Sequence, residues 1–153
     1  MKNVGNVRNV GNVGNVGSEL IRPGVGGIVA RGMHELSIAM SLVEAASEEV
    51  ERLGDVRVEA LHLRLGPLSG VVKEALLFSF DIAAQGTPIE GARLEIDEVP
   101  LTVFCHRCEV ERELPSPQHL RCPICDEPTP NVVRGRELEL AALEVMDHAA
   151  PHR

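Results

Sequence analysis

Four cysteines fall within 21 residues as two C-x-x-C pairs, Cys105/Cys108 and Cys122/Cys125. Each C-x-x-C turn places two sulfurs at adjacent corners of a tetrahedron, so two such turns supply all four ligands of a Zn(II) ion. Four thiolates leave no position for water, which indicates a structural ion. The alternative, two disulfides, requires an oxidising compartment, and no export signal is recognisable in the sequence. We therefore expect a zinc-binding, cytoplasmic protein.

Two residues depart from the usual zinc-knuckle pattern. Glu109 and Asp126 each follow the second cysteine of a pair, where knuckles often have glycine because the backbone φ is positive. Aspartate tolerates positive φ moderately and glutamate less well. We expect slight backbone strain at these two positions, without loss of the metal site.

A second candidate metal site is the tripeptide Met33-His34-Glu35. If the chain begins at Met33, its free amine, the deprotonated amide nitrogen of His34 and the His34 Nδ1 atom form fused chelate rings in one plane. Planar nitrogen donors favour Ni(II) or Cu(II) over tetrahedral Zn(II), and Glu35 could add a fourth donor by its amide or carboxylate. A residue before Met33 would turn the amine into a peptide amide, a far poorer donor.

The chemistry of this tripeptide therefore depends on residues 1–32. Within them, residues 3–17 repeat Asn-Val-Gly with one Asn-Val-Arg, and such a repeat has neither helical nor strand amphipathicity. The segment is interpreted either as a disordered extension or as translated DNA upstream of a true start at Met33. In both cases we expect it to add nothing to the fold.

Charge and composition exclude several classes of function. The chain has 15 basic and 23 acidic side chains, a net charge of −8. Because residues 1–32 hold four basic side chains and one acidic one, residues 33–153 carry −11. So acidic a body repels nucleic acid and anionic membrane surfaces. The sequence also lacks the run of about 18 apolar residues that a transmembrane helix needs.

Hydrophobic periodicity predicts a small α+β fold. We expect two helices on one face of a three-stranded sheet, with a four-cysteine, zinc-ribbon-like domain inserted before the last strand. The two strands that flank the cysteine segment could pair antiparallel, which would make that segment an outgrowth of a hairpin. The predicted helices cover residues 34–53 and 72–85, and the predicted strands cover 56–65, 92–99 and 136–145.

These elements divide the chain into four parts. Residues 33–104 and 133–147 are expected to form the α+β domain that carries the candidate nickel site. Residues 105–132 are expected to form the zinc domain, and 148–153 a frayed tail. Residues 1–32 lie outside the predicted fold.

Several short motifs together resemble the HypA/HybF family of hydrogenase-maturation nickel metallochaperones. The similarity runs from residue 33 to about residue 146 without a gap. The motifs are Met-His-Glu-Leu-Ser-Ile-Ala (33–39), Leu-Ser-Gly-Val (68–71) before Glu74-Ala-Leu, Gly-Thr (86–87) before Glu90-Gly-Ala, the two cysteine pairs, and Gly-Arg-Glu-Leu (135–138).

The resemblance implies a non-enzymatic protein with a nickel domain and a structural zinc domain. Nickel would be cargo, taken by His34 with help from the amino terminus at Met33 and from Glu35. It would be delivered, together with a HypB-type GTPase, into the large subunit of a [NiFe] hydrogenase. Some relatives also serve urease.

Three other functions compete with this interpretation. The first is a zinc-ribbon interaction module without nickel transfer, for which the acidity disfavours nucleic acid as the partner. The second is a zinc hydrolase, but an H-E-x-x-H motif fails because position 38 is Ile38. The third is a redox dithiol protein, which would need a zinc-free form of Cys105 and Cys108.

Overall fold

Two helices and seven strands are formed by residues 8–15 and 31–147, which are the residues that the computed structural model describes. Neither helix has a stretch both long and apolar enough to cross a membrane. In chain order the elements are β1 (Arg8–Asn15), α1 (Arg31–Leu53), β2 (Val56–Leu65), α2 (Lys73–Ala84), β3 (Arg93–Glu98), β4 (Leu101–Cys105), β5 (Val110–Leu114), β6 (Val132–Arg134) and β7 (Leu138–Asp147).

The larger sheet has four strands in the order β1-β7-β2-β3. β2 runs parallel to β3 and antiparallel to β7, with register shifts between Val58 and Ala60 and between His62 and Leu63. The α+β class, both helices and the three predicted strands are confirmed, with ends that differ by a few residues. The predicted pairing of the two strands that flank the cysteine segment is wrong, since β2 lies between β3 and β7. β2 is more continuously buried than β3, which explains its interior position.

The amino-terminal segment also differs from expectation. Residues Arg8–Asn15 pair antiparallel with β7, from Arg8 opposite Val145 to Asn15 opposite Glu139. The backbone N–H and C=O groups on the outer edge of β7 need partners, and an extended Asn-Val-Gly repeat supplies them without any amphipathic pattern. The start of translation stays untested. Residues 1–7, 16–30 and the predicted tail 148–153 lie outside the described residues.

Both helices pack against the larger sheet around one apolar core. α1 ends where its apolar stripe ends, and Gly54 follows with a φ of +90° and a hydrogen bond from its N–H to the Val50 carbonyl. A glycine with positive φ directly after the last helical residue is a common way to end a helix. The largest fully buried side chains of the core come from α1 (Ile38, Leu42), α2 (Leu76, Phe80), β2 (Leu61, Leu63) and β7 (Leu140, Leu143).

The cysteine segment forms a second sheet of three antiparallel strands, in the order β5-β4-β6. Besides the cysteines, its core has three buried apolar residues on these strands, Leu101, Val103 and Leu114. The unit built on β4 to β6 extends a few residues beyond the predicted 105–132 on each side. So small a core supplies little folding free energy without further cross-linking.

The two sheets meet where the turn after β2 contacts the chain between β6 and β7. The N–H of Gly66 donates to the Glu137 carbonyl (2.8 Å), and the N–H of Leu68 donates to the Gly135 carbonyl (2.7 Å). A Cβ atom on Gly66 would lie 2.2 Å from the carbonyl carbon of Gly135. The φ of Gly66 is not positive. Glycine is therefore required here for space between two backbones, not for conformation.

We expect Gly66→Ala to lower the free energy of unfolding by about 1–3 kcal/mol, the usual range for overpacking. The substitution should also speed hydrogen exchange at the amides of Gly66 and Leu68. Gly86→Ala is the matched control, because Gly86 has a φ of +72° and open space around its Cβ position. It should cost about 1 kcal/mol through backbone strain and leave those two amides protected. Equal exchange in both variants would contradict the packing explanation.

Candidate metal centre

The four cysteines come together at one end of the smaller sheet. Their sulfurs all lie within 4.8 Å of one another, and the Sγ–Sγ distances are 3.5 Å for Cys105–Cys125 and 3.9 Å for Cys108–Cys122. A tetrahedral ion with Zn–S bonds of about 2.3 Å places its sulfurs about 3.8 Å apart. All four cysteines are free, so the disulfide alternative is not the arrangement of this structure. The cluster has the size and donor chemistry of a four-thiolate metal site.

Two turns hold the sulfurs in place. In the first, the backbone N–H of Cys108 points at the Cys105 sulfur, at 3.4 Å. In the second, the N–H of Asp126 donates to the Cys122 carbonyl at 2.9 Å. The two residues expected at positive φ do adopt it, with 56° at Glu109 and 60° at Asp126. These turns therefore have the left-handed residue typical of zinc knuckles without the glycine.

The pKa values of two cysteines in the cluster are shifted in opposite directions. Hydrogen bonds from the backbone N–H groups of Cys125 and Ile124 lower the pKa of Cys122 to about 6. The N–H of Glu127 acts in the same direction on Cys125, but burial and the neighbouring thiols raise the pKa of Cys125 to about 12. One thiolate thus forms readily while another thiol keeps its proton, because negative charge accumulates among the sulfurs. Cys105, Cys108, Cys122 and Cys125 would hold a divalent cation as four thiolates, and its charge would remove this conflict.

Arg112 lies beside the cluster and was missed by the sequence analysis. It lies on β5 opposite Val103 of β4. The neighbouring thiols of Cys108 and Cys122 raise the pKa of Arg112, while its Nε atom is buried without a hydrogen-bond partner among the described residues. A cation here offsets part of the negative charge of four thiolates around a divalent ion. The available signal was strand alternation, which puts Arg112 on the same face as buried Leu114.

The structure directs the side chains of His34 and Glu35 into different surroundings. Both lie near the start of α1, where the His34 side chain is exposed and Glu35 is only 2% exposed. The Glu35 Oε1 atom accepts a hydrogen bond from the backbone N–H of Val72 at 3.2 Å. Consecutive residues of a helix point about 100° apart, which accounts for the difference. Among the described residues, the four cysteines are the one group of at least three His, Cys, Asp or Glu side chains close enough to share an ion.

Comparison with known proteins is consistent across sequence and structure. Residues 33–145 match the HypA family, described as hydrogenase/urease nickel incorporation, metallochaperone. The hydrogenase maturation factor HypA of Roseiflexus sp. (strain RS-1) is 56% identical over 115 residues, which are 75% of this chain and 94% of that protein. The factor of the same name from Chloroflexus aurantiacus (strain ATCC 29366 / DSM 635 / J-10-fl) is 55% identical over 112 residues, 73% of this chain and 98% of that protein.

Two solved structures share the fold. The solution structure of the Ni metallochaperone HypA from Helicobacter pylori aligns with a TM-score of 0.53 and 19% identity, over 74% of this chain and 97% of that one. A second solution structure of a HypA protein aligns with a TM-score of 0.56 and 21% identity, with the same coverage. The family match over residues 33–145 and the identity to the two maturation factors establish that this chain belongs to the HypA family of nickel metallochaperones, which serve nickel incorporation into hydrogenase and urease.

Proposed function

We propose that the protein takes up Ni(II) at Met33-His34-Glu35 and releases it for the maturation of a [NiFe] hydrogenase. The observation that carries the proposal is the exposed imidazole of His34 near the start of α1, one residue after the point where the family match begins. The names of the similar maturation factors favour hydrogenase over urease as the client. A HypB-type GTPase and the hydrogenase large subunit are the proposed partners.

The donor set of this tripeptide suits transient binding of nickel. The Met33 amine, the His34 amide nitrogen and the His34 Nδ1 atom can bind in one plane, which is the geometry that Ni(II) prefers. Glu35 adds a fourth donor by its amide or carboxylate. Because the site has few ligands and an exposed imidazole, a partner protein can reach the ion and exchange its ligands one at a time.

The four cysteines are proposed to hold a structural Zn(II) ion. Zinc binding supplies the folding free energy that the three buried residues Leu101, Val103 and Leu114 cannot provide alone. The buried thiolates of Cys105 and Cys122 would retain an ion rather than pass it on. The protein therefore acts by ion transfer at one site and by structural support at the other, without catalysis.

A second candidate function, a zinc-ribbon interaction module without nickel transfer, is favoured by one observation. Ile124 lies between the two cysteines of the second knuckle and is 70% exposed, as a partner-contacting residue would be. The two functions differ in a simple measurement, since only the metallochaperone binds nickel at His34.

We expect His34→Ala to weaken nickel binding by at least about 100-fold, because loss of a direct ligand exceeds the 10–100-fold effect of residues that orient ligands. Zinc content and circular dichroism should stay unchanged. Cys122→Ser should do the opposite, with loss of zinc and of the β4–β6 unit. Titration calorimetry and metal analysis measure both, with His119→Ala, an exposed histidine far along the chain, as the control. Wild-type nickel affinity in His34→Ala would contradict the proposed site.

The state of the Met33 nitrogen gives an independent prediction. A chain that begins at Met33 should bind nickel at least about tenfold more tightly than the 153-residue chain, in which that nitrogen is a peptide amide. The short chain also lacks β1, so the same short chain with an acetylated amine is the control. The acetylated form should bind as weakly as the long chain. Equal affinity in all three forms would contradict a role for the amine.

The position of Arg112 predicts a charge effect on the zinc site. Arg112→Gln should weaken zinc binding by about 10–100-fold, the typical effect of removing a group that surrounds and supports metal ligands. Arg107→Gln is the matched control, because it removes the same charge from a side chain that faces Glu127 at 3.7 Å. Competition with a chelator measures both affinities. Equal weakening in the two variants would mean that net charge, not the contact of Arg112 with the sulfurs, sets the affinity.

A further inference from the structure

The amino-terminal end of α2 lacks a cap of its own. Val72 is the N-cap residue and has no side chain that could accept a hydrogen bond. In a capping box, a Glu or Gln at the third helical position accepts the N–H of the N-cap residue, but that position here is Ala75. The N–H groups of the first turn would therefore lack side-chain partners.

Glu35 supplies the missing acceptor from the other helix. Its Oε1 atom accepts the N–H of Val72 at 3.2 Å, which is the bond that the third helical residue makes in a capping box. The negative charge of Glu35 also lies at the positive end of the α2 dipole. Lys73, the next residue along α2, is paired with Glu98 at 3.3 Å and not with Glu35.

Burial of the Glu35 carboxylate costs free energy of folding, so its position needs an explanation. Glu35 is 2% exposed, and its Oε2 atom is buried with no hydrogen-bond partner among the described residues. A buried carboxylate oxygen without a partner costs free energy. A carboxylate that served only to cap α2 could be replaced by a local capping residue at the exposed position of Val72, at lower cost.

We propose that the Glu35 carboxylate is a positioning group, which ties the nickel-binding end of α1 to the start of α2, and is not itself a nickel ligand. This inference rests on the proposed nickel site. Because the carboxylate is fixed at Val72, the helix directs the adjacent His34 side chain outward. Coordination of nickel through the Glu35 carboxylate would break the bond to Val72.

Two substitutions in the full chain separate the roles of Glu35. Glu35→Gln keeps an oxygen acceptor for the Val72 N–H, so nickel affinity should stay within about threefold of wild type. A carboxylate ligand would instead lose at least about tenfold, as ligand loss does. Glu35→Ala removes the acceptor and should speed hydrogen exchange of the Val72 amide by about fivefold, the effect of losing a helix cap. It should weaken nickel binding as well.

A third variant distinguishes positioning from simple stabilisation of α2. Glu35→Ala combined with Val72→Ser and Ala75→Glu builds a capping box within α2, without restoring the bond between the helices. We expect this variant to regain thermal stability but not nickel affinity. Recovery of both would overturn the proposal, because Glu35 would then only stabilise α2. Nickel loss in Glu35→Gln with unchanged exchange at Val72 would overturn it in favour of a carboxylate ligand.

Nickel uptake by wild type and by His34→Ala shows whether the proposed nickel site itself is wrong, independently of the role of Glu35. Wild type would then take up no nickel, or His34→Ala measured in parallel would take up as much as wild type. The exchange rate of the Val72 amide in Glu35→Ala still decides, in that case, whether Glu35 caps α2. An unchanged exchange rate of the Val72 amide in Glu35→Ala would contradict the role of Glu35 as the cap of α2.

Discussion

The crowding of four thiols within 4.8 Å is the constraint on which the smaller sheet depends. Besides the cysteines, the sheet has three buried apolar residues, too few to hold a separate unit together, while its sulfurs repel one another once they lose their protons. A cation resolves both problems, since it cross-links the two knuckles and accepts the charge. The turn after β2 contacts this unit through the hydrogen bond from the Leu68 N–H to the Gly135 carbonyl. Helix α2 begins after that turn.

The proposed nickel site and the four-cysteine cluster have opposite properties and lie on different parts of the chain. Soft thiolates with buried neighbours would retain an ion, whereas the proposed nitrogen donors at an exposed helix end would release it. Neither a four-thiolate site alone nor a nitrogen-donor site alone could provide both structural support and nickel release. Four thiolates would trap nickel, and three nitrogen donors at a helix end could not hold a sheet together.

Sequence alone was sufficient for the features that depend on local pattern. The cysteine spacing predicted the cluster, helical periodicity predicted α1 and α2, and the residue after each knuckle predicted a positive φ at Glu109 and Asp126. Features that depend on which strands become neighbours were not predictable in this way. The interior position of β2 and the pairing of Arg8–Asn15 with β7 follow from backbone hydrogen bonding, which leaves little trace in side-chain periodicity. Arg112 was missed for a similar reason, because one of its two cysteine neighbours, Cys122, is distant in sequence.

The Met-His-Glu motif illustrates a further limit of motif reasoning. A short motif specifies residue types only. Each residue offers both a backbone nitrogen and a side chain as possible metal ligands, and the spacing does not say which of the two binds the ion. A helix turns by about 100° per residue, so three consecutive residues cannot all direct their side chains to one ion while they remain helical. Here the helix exposes His34 and buries Glu35. The proposed nickel site therefore uses the His34 side chain, while the Glu35 side chain contacts Val72 at the start of α2.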